Sequence, residues 1–248
     1  MASSALRRIL ESVLASPCAQ CGAECEGVVC PSCRSSFREF GGDGCRRCAE
    51  WLGPGLRPLT CRACEGRAWH LDAAHSAVSY EGAARVAILR LKDSPAATGA
   101  RELASWMLPL ALKEGLASVD VLVDVPSPLL RRLRRGHNQS RLLAQELASQ
   151  SGIPHRPALA RPWWVKKQSA KTREERLRSD GGFRCVRRVE GLHVALVDDV
   201  MTTGATLNAC ARVLKEAGAL RVVAFTVART MAPNALLQMR TGPSEGSA

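Results

Sequence analysis

Two adjacent acids, Asp198 and Asp199, stand just ahead of a small, hydroxyl-rich turn, Thr202-Thr203-Gly204-Ala205-Thr206. Backbone N–H groups of such a turn converge on an anion, and a helix starting there adds a partial positive charge, so the turn suits a phosphate. Carboxylates repel phosphate. Their partners are therefore the hydroxyls of a sugar that carries the phosphate, or Mg2+. Two acids at a buried strand end are costly unless they are used.

The flanking elements supply the positioning. Val194 to Val197 is a continuous apolar run, the pattern of a strand buried on both faces and hence parallel. Leu207 to Ala217 has helical spacing and stops at Gly218. Open α/β sheets bind ligands beyond the carboxyl ends of their strands, where Asp198 and Asp199 fall. The stretch has neither the GxxxxGK[ST] of a P-loop nor the GxGxxG of a dinucleotide fold.

A second chemistry lies near the N-terminus. Of 11 cysteines, nine precede residue 65, and eight form CxxC pairs: Cys18/Cys21, Cys30/Cys33, Cys45/Cys48 and Cys61/Cys64. One CxxC turn presents two thiolates to a metal, and two turns complete a tetrahedral zinc site. Sequential pairing gives two ribbons with 8 and 12 residues between knuckles, and interleaved pairing is the alternative. With four protein ligands no coordination position stays open, so the zinc is structural. Cys25 is the odd thiol, and Cys185 and Cys210 read as packed thiols.

The chain has 248 residues and a net charge of +12, with no apolar run near the ~20 residues of a membrane span. No signal-type segment follows Arg7-Arg8, so a cytoplasmic protein with reduced thiols is expected. Residues 131–188 hold 16 Lys or Arg against 4 Asp or Glu, which suits an anionic ligand such as a pyrophosphate or a nucleic acid.

Other elements follow from pattern. Leu6, Ile9, Leu10, Val13 and Leu14 share a helical face. Alternation over Trp69–Tyr80 suggests a strand or hairpin, and 81–92 and 100–114 are helical in spacing. Val119–Val125 is the first clear core strand. It ends in Pro126-Ser127-Pro128 and an arginine-rich run through Asn138-Gln139, followed by a helix over 142–150 closed by Gly152. Leu220–Val227 is a further buried strand, and 241–248 reads as a disordered tail.

The stretch VALVDDVMTTGATL resembles the 13-residue phosphoribosyl pyrophosphate (PRPP) motif of type I phosphoribosyltransferases. By that resemblance Asp198 and Asp199 hold the ribose hydroxyls, and the binding set runs through Val200, Met201, Thr202, Thr203, Gly204, Ala205 and Thr206, with the 5-phosphate on Thr202 to Thr206. VPSPLLRRLRRGHNQSRLLAQELA resembles the matching region of the ComF/GntX family, which joins a zinc-ribbon head to a phosphoribosyltransferase-like domain. Tyr80, Gly82 and Lys92 match that family's YxG…K segment. Ser127, Arg132 and Arg135 would then face the pyrophosphate. Arg161, Gln168 and Arg176 match the lid that closes over PRPP. The sequence departs from the family pattern at His137, where Phe is usual, at Ser179, where Asn is usual, and at Trp163-Trp164. His137 is a general-base candidate by residue type, but it stands where the family uses an apolar ring.

The expected fold is α/β: a type I phosphoribosyltransferase-like parallel sheet with an N-terminal four-cysteine double zinc ribbon. Residues 1–66 form the ribbon unit, 67–232 the transferase-like domain and 233–248 a tail. The expected function is PRPP binding with phosphoribosyl transfer, using two structural Zn2+ and PRPP-bound Mg2+. The resemblance implies a role in DNA uptake, with single-stranded DNA and a helicase-like ATPase as partners. The other expectation is an adaptor that keeps the fold without turnover.

Overall fold

The structure, a computed structural model, describes residues 16–93, 98–127, 136–161 and 182–231. The N-terminal helix face, the C-terminal tail, the Trp163-Trp164 pair and Ser179 lie outside that range, as do Arg132, Arg135, Gln168, Arg176 and the side chain of Lys92.

The cysteine-rich segment holds little regular structure: a short antiparallel pair, β1 (Ser16–Pro17) with β2 (Glu24–Cys25), and a one-turn helix, α1 (Pro31–Ser35). Its sulfur atoms gather as Cys18/Cys21/Cys30/Cys33 and Cys45/Cys48/Cys61/Cys64, which is the sequential pairing.

Next come β3 (Ala73–Ser79), α2 (Gly82–Asp93), α3 (Thr98–Lys113) and β4 (Val121–Asp124). They lead to α4 (Gln139–Ser151), whose chain leaves through Gly152 at φ 77°. A small antiparallel pair, β5 (Leu159–Ala160) with β6 (Arg184–Cys185), precedes β7 (His193–Met201), α5 (Ala205–Glu216) and β8 (Arg221–Arg229).

The central sheet is parallel throughout, in the order β3-β8-β7-β4. Both faces are covered, and alternate residues of each strand serve opposite sides. Ala195 and Val197 pack with Phe225 against α2, α3, α4 and the first cysteine cluster. Val194 and Leu196 pack with Val222 against α5 and the second cluster. Leu122, Leu196 and Phe225 are among the largest fully buried side chains. Each such burial is worth roughly 1.5–3 kcal/mol.

Ala73–Ser79 differs from the expected alternation. All seven residues are buried, so this strand, not the one at Val121, is the first of the core. Its run of Ala, Ser and His carries too weak an apolar signal to be read as buried from sequence.

Both sheet edges are closed by loops. On β3 the segment from Arg38 to Phe40 runs antiparallel, Ser79 N–H donating to the Arg38 carbonyl at 2.9 Å and Phe40 N–H to that of Ala77 at 3.1 Å. Ala74 N–H also donates to the Arg46 carbonyl at 2.8 Å. The cysteine-rich chain thus wraps the β3 edge, with one cluster on each face of the sheet. On β4, Leu122 exchanges hydrogen bonds with Pro154 and Arg156, both 2.9 Å.

His75 on β3 is 7% exposed, stacks on Phe225 and faces Glu114. Burial pulls its imidazole down to about 4, with Glu114 drawing it up and the Arg57, Arg46 and Arg221 charges adding to the fall. As pH falls from 6.5 toward 4, the unfolded chain takes up a proton that the folded chain refuses. This stability term is complete above that window, shrinks through it, and levels off below it; it is worth about 3 kcal/mol at most. A His75→Gln variant should lose less stability than the wild type between those pH values, read by denaturant titration. Parallel pH slopes would contradict this.

Candidate functional site

β7 carries its apolar residues to the carboxyl edge of the sheet and ends in Asp198, Asp199, Val200 and Met201. Asp198 and Asp199 are half-buried. Asp198 Oδ1 accepts from Ser140 Oγ at 2.6 Å and from Asp199 N–H at 2.9 Å, and Asp199 Oδ1 accepts from Val200 N–H at 2.7 Å. The pair is thereby oriented at an edge that leaves the neighbouring turn in solvent.

That turn is formed by Thr202 and Thr203, both exposed, and Gly204, which caps α5 at φ 74°. A side chain at Gly204 would meet Met201 Cε at 2.5 Å and Trp69 Cη2 at 2.9 Å. Glycine is therefore required for both conformation and space. Ala205 and Thr206 open the helix with exposed side chains, while Leu207, Cys210, Ala211 and Leu214 bury its other face. Met201 is only 1% exposed, so its side chain belongs to the core, not to the ligand edge. Cys210 is likewise a packed thiol, its pKa raised by burial.

A polar network whose members are scattered along the sequence lies behind the acids. Asp124, at the end of β4, is 1% exposed. Its carboxylate accepts from Asn138 Nδ2 at 3.1 Å and Arg141 Nε at 3.3 Å, and pairs with His155 Nε2 at 2.8 Å. Asn138 Oδ1 accepts from Ser127 Oγ at 2.8 Å. This fixes the start of α4, and with it Ser140 against Asp198. The available signal was an acid closing an otherwise apolar strand, VDVLVDV.

His137 does not join the acids. Its Nε2 lies 3.0 Å from the Leu91 carbonyl and 3.5 Å from Gln139 Nε2. Ser127 is half-buried beyond β4, and Arg161 sits over the Phe183 ring at 5.2 Å. The other pyrophosphate and lid residues proposed from sequence, Arg132, Arg135, Gln168 and Arg176, lie outside the described residues.

The cysteine clusters fit a tetrahedral ion. In each set the ligand atoms all lie within 4.8 Å of one another. Sulfur pairs stand at 3.6 Å (Cys21 and Cys30), 3.7 Å (Cys48 and Cys61) and 3.9 Å (Cys45 and Cys64). A zinc ion with Zn–S bonds of about 2.3 Å requires sulfurs about 3.8 Å apart. Hydrogen bonding, chiefly with Cys48, pulls the Cys45 thiol down to about 5, and burial pushes Cys64 up to about 12. In the first set the backbone around Cys21 and Cys30 draws Cys18 down to about 6, and burial raises Cys33 to about 12. One thiolate in each set is thus favoured by its neighbours, and a cation would favour the rest. The two clusters can bind zinc. Cys25 stands apart, its thiol 3.2 Å from the Gly27 carbonyl.

The second cluster adjoins the turn. A cavity of about 240 Å³ lies between them, lined by Cys48, Cys64, Arg67, Trp69, Thr202 and Arg229 among others. Arg229, the last residue of β8, is 5% exposed and pairs with Glu50. In the sequence it looks like an ordinary strand end, because its partner lies 179 residues away.

A family model described as "Phosphoribosyl transferase domain" matches residues 118–239. The chain is similar to Competence protein ComFC of Bacillus subtilis (strain 168), 32% identical over 212 residues covering 82% of this chain and 84% of that protein. It is 37% identical over 140 residues to DNA utilization protein YhgH of Salmonella typhi, covering 55% of this chain and 61% of that one. It is 31% identical over 115 residues to Competence protein F of Haemophilus influenzae, covering 44% and 50%. The chain thus spans less than two thirds of the latter two relatives. Among the described residues no helix is long and apolar enough to cross a membrane.

Proposed function

Because the chain belongs to the ComF family, we propose that it binds PRPP at the end of β7 and transfers the phosphoribosyl group in a DNA-uptake role, a reading supported by relatives named for competence and for DNA utilization. The observation that carries the reading is the oriented acid pair beside an exposed hydroxyl turn that caps a helix. In this reading 1–66 is the metal-binding unit and 67–232 the transferase unit.

Asp198 and Asp199 hold the ribose 2- and 3-hydroxyls, with Ser140 fixing the first carboxylate. The 5-phosphate rests on the backbone and hydroxyls of Thr202 to Thr206, where the α5 N-terminus favours negative charge. Ser127, Arg132 and Arg135 face the pyrophosphate, and Arg161, Gln168 and Arg176 close over it. A nucleophile attacks the anomeric carbon as pyrophosphate leaves through an oxocarbenium-like state. The protein contributes orientation and charge complementarity more than covalent chemistry. Mg2+ bound with PRPP would supply charge neutralisation for the departing pyrophosphate. Zinc fills both cysteine clusters as a structural ion. Single-stranded DNA and a helicase-like ATPase are the partners that the DNA-uptake role implies.

Thermal unfolding with and without Mg2+-PRPP tests the reading. Wild type should gain several degrees at saturation, since a ligand at 100 times its Kd adds about 2.7 kcal/mol. An Asp198→Asn/Asp199→Asn variant should gain almost none. Equal gains for both proteins, or none for wild type, would refute the assignment. Pyrophosphate release across a panel of bases and oligonucleotides then separates an enzyme from a protein that only binds.

A further inference from the structure

We propose that Arg229 couples the second cysteine cluster to the hydroxyl turn, so that metal in that cluster and ligand on the turn bind cooperatively. This rests on the turn being the ligand site.

Arg229 is placed by the sheet. It stands opposite Met201 in the β7–β8 register, with Thr230 N–H donating to the Met201 carbonyl at 3.0 Å and Tyr80 N–H to the Arg229 carbonyl at 2.8 Å. Its guanidinium therefore lies behind the turn, where it divides its donors three ways. Nη1 donates to the Thr202 carbonyl at 2.5 Å. Nε donates to Glu50 Oε2 at 3.1 Å, with Nη2 on the same oxygen. Nη2 also lies 3.8 Å from Cys48 Sγ.

Glu50 belongs to the metal-site loop. It follows Cys48 by two positions, and its carbonyl accepts from Cys45 N–H at 2.8 Å. Metal therefore fixes the loop, the loop fixes Glu50, and Glu50 fixes the guanidinium that holds the first residue of the turn. Four thiolates around one divalent ion also leave net negative charge, which a buried guanidinium beside Cys48 Sγ offsets. If the ion leaves, the loop is released and Glu50 is no longer held against Arg229, and a buried guanidinium without its fixed partner is strongly unfavourable. Coupling of this kind is reciprocal: ligand on the turn must retain the metal by the factor by which metal favours ligand.

The first cluster is an internal control. It packs on the opposite face of the sheet with Leu91 and Leu103, and among the described residues no hydrogen bond joins its cysteines to the turn.

The experiment loads the full chain with zinc and follows release to a chromogenic chelator, with and without saturating Mg2+-PRPP. A Cys18→Ser/Cys21→Ser variant assigns the two release phases. PRPP should slow release from the second cluster about tenfold, within the ordinary range of such couplings, and leave the first unchanged. In Arg229→Met the retardation should vanish, and PRPP should bind about tenfold more weakly at full metal content. Arg229→Lys, which keeps the charge but loses the fork, should fall between. If PRPP binds wild type yet both phases keep their rates, the coupling is wrong and the ligand site stands. If zinc-loaded wild type binds no PRPP by calorimetry, both readings fail together. The wild-type release measurement decides the matter even if Arg229→Met does not fold.

Discussion

Replacing Cys45 and Cys61 together by serine should cut bound zinc from two equivalents to one and lower the thermal midpoint by more than 10 °C, or abolish soluble expression. The size follows from where these sulfurs lie. Cys45, Cys48, Cys61 and Cys64 are all at most 7% exposed and share one apolar core with Leu71, Ala74, Leu196 and Met201. The surrounding loop contains no helix or strand that would hold its shape without the ion. Structural zinc in small domains supplies about 10–16 kcal/mol of apparent folding free energy at neutral pH, comparable to the entire stability of a typical domain. Serine also leaves hydroxyls in an apolar site without a metal partner, adding roughly 1–3 kcal/mol each. Cys18→Ser/Cys21→Ser should lose one equivalent with a smaller midpoint change, because Cys21 is exposed. Cys25→Ser should lose none. Metal analysis alongside differential scanning calorimetry checks all three, and two retained equivalents in the Cys45/Cys61 variant would overturn the ligand assignment.

Gly204→Ala should weaken PRPP binding by at least tenfold and lower stability by roughly 2–4 kcal/mol. Left-handed backbone costs an L-residue roughly 1–2 kcal/mol by itself. The rest is steric. Met201 Cε can swing aside, but Trp69 Cη2 at 2.9 Å belongs to a rigid ring that must move with its backbone. Any such shift moves the turn itself. Gly191→Ala separates the two contributions, since its φ is 76° and nothing lies within 4 Å of the added carbon. It should show only the backbone cost and bind PRPP normally. Urea titration and isothermal calorimetry on the two variants make the comparison; equal PRPP affinities would remove Gly204 from the site.

What could be read in advance divides by range along the chain. Asp198, Asp199 and the turn are contiguous, and a strand, a turn and a helix are short-range events, so their residue order carried them. The CxxC pairs were legible for the same reason, and sequential pairing keeps each cluster within 20 residues. Arg229 with Glu50 and Ser140 with Asp198 meet only because the sheet order is β3-β8-β7-β4, and His155 reaches Asp124 only because the chain after α4 returns along the outer edge of β4. Nothing near Arg229 in the chain distinguishes it from an ordinary terminal strand residue. His137 is the opposite case: its residue type invites proton transfer, but it stands where the family carries an apolar ring, and its Nε2 lies 3.0 Å from the Leu91 carbonyl.

The wrap of the cysteine-rich chain around β3 has a consequence for the order of biosynthesis. Translation delivers the eight metal ligands before β3, and each cluster can close on its own short loop while the ribosome is still working. β3 emerges next, but the strand it pairs with, β8, lies about 150 residues downstream. During that interval β3 would expose an unpaired edge, a template for association with other chains. The Arg38–Phe40 segment, already anchored between two metal knuckles, can occupy one side of that edge before β8 exists. Zinc shortage should therefore first appear as aggregation of newly made chains, while protein that has already folded stays in solution.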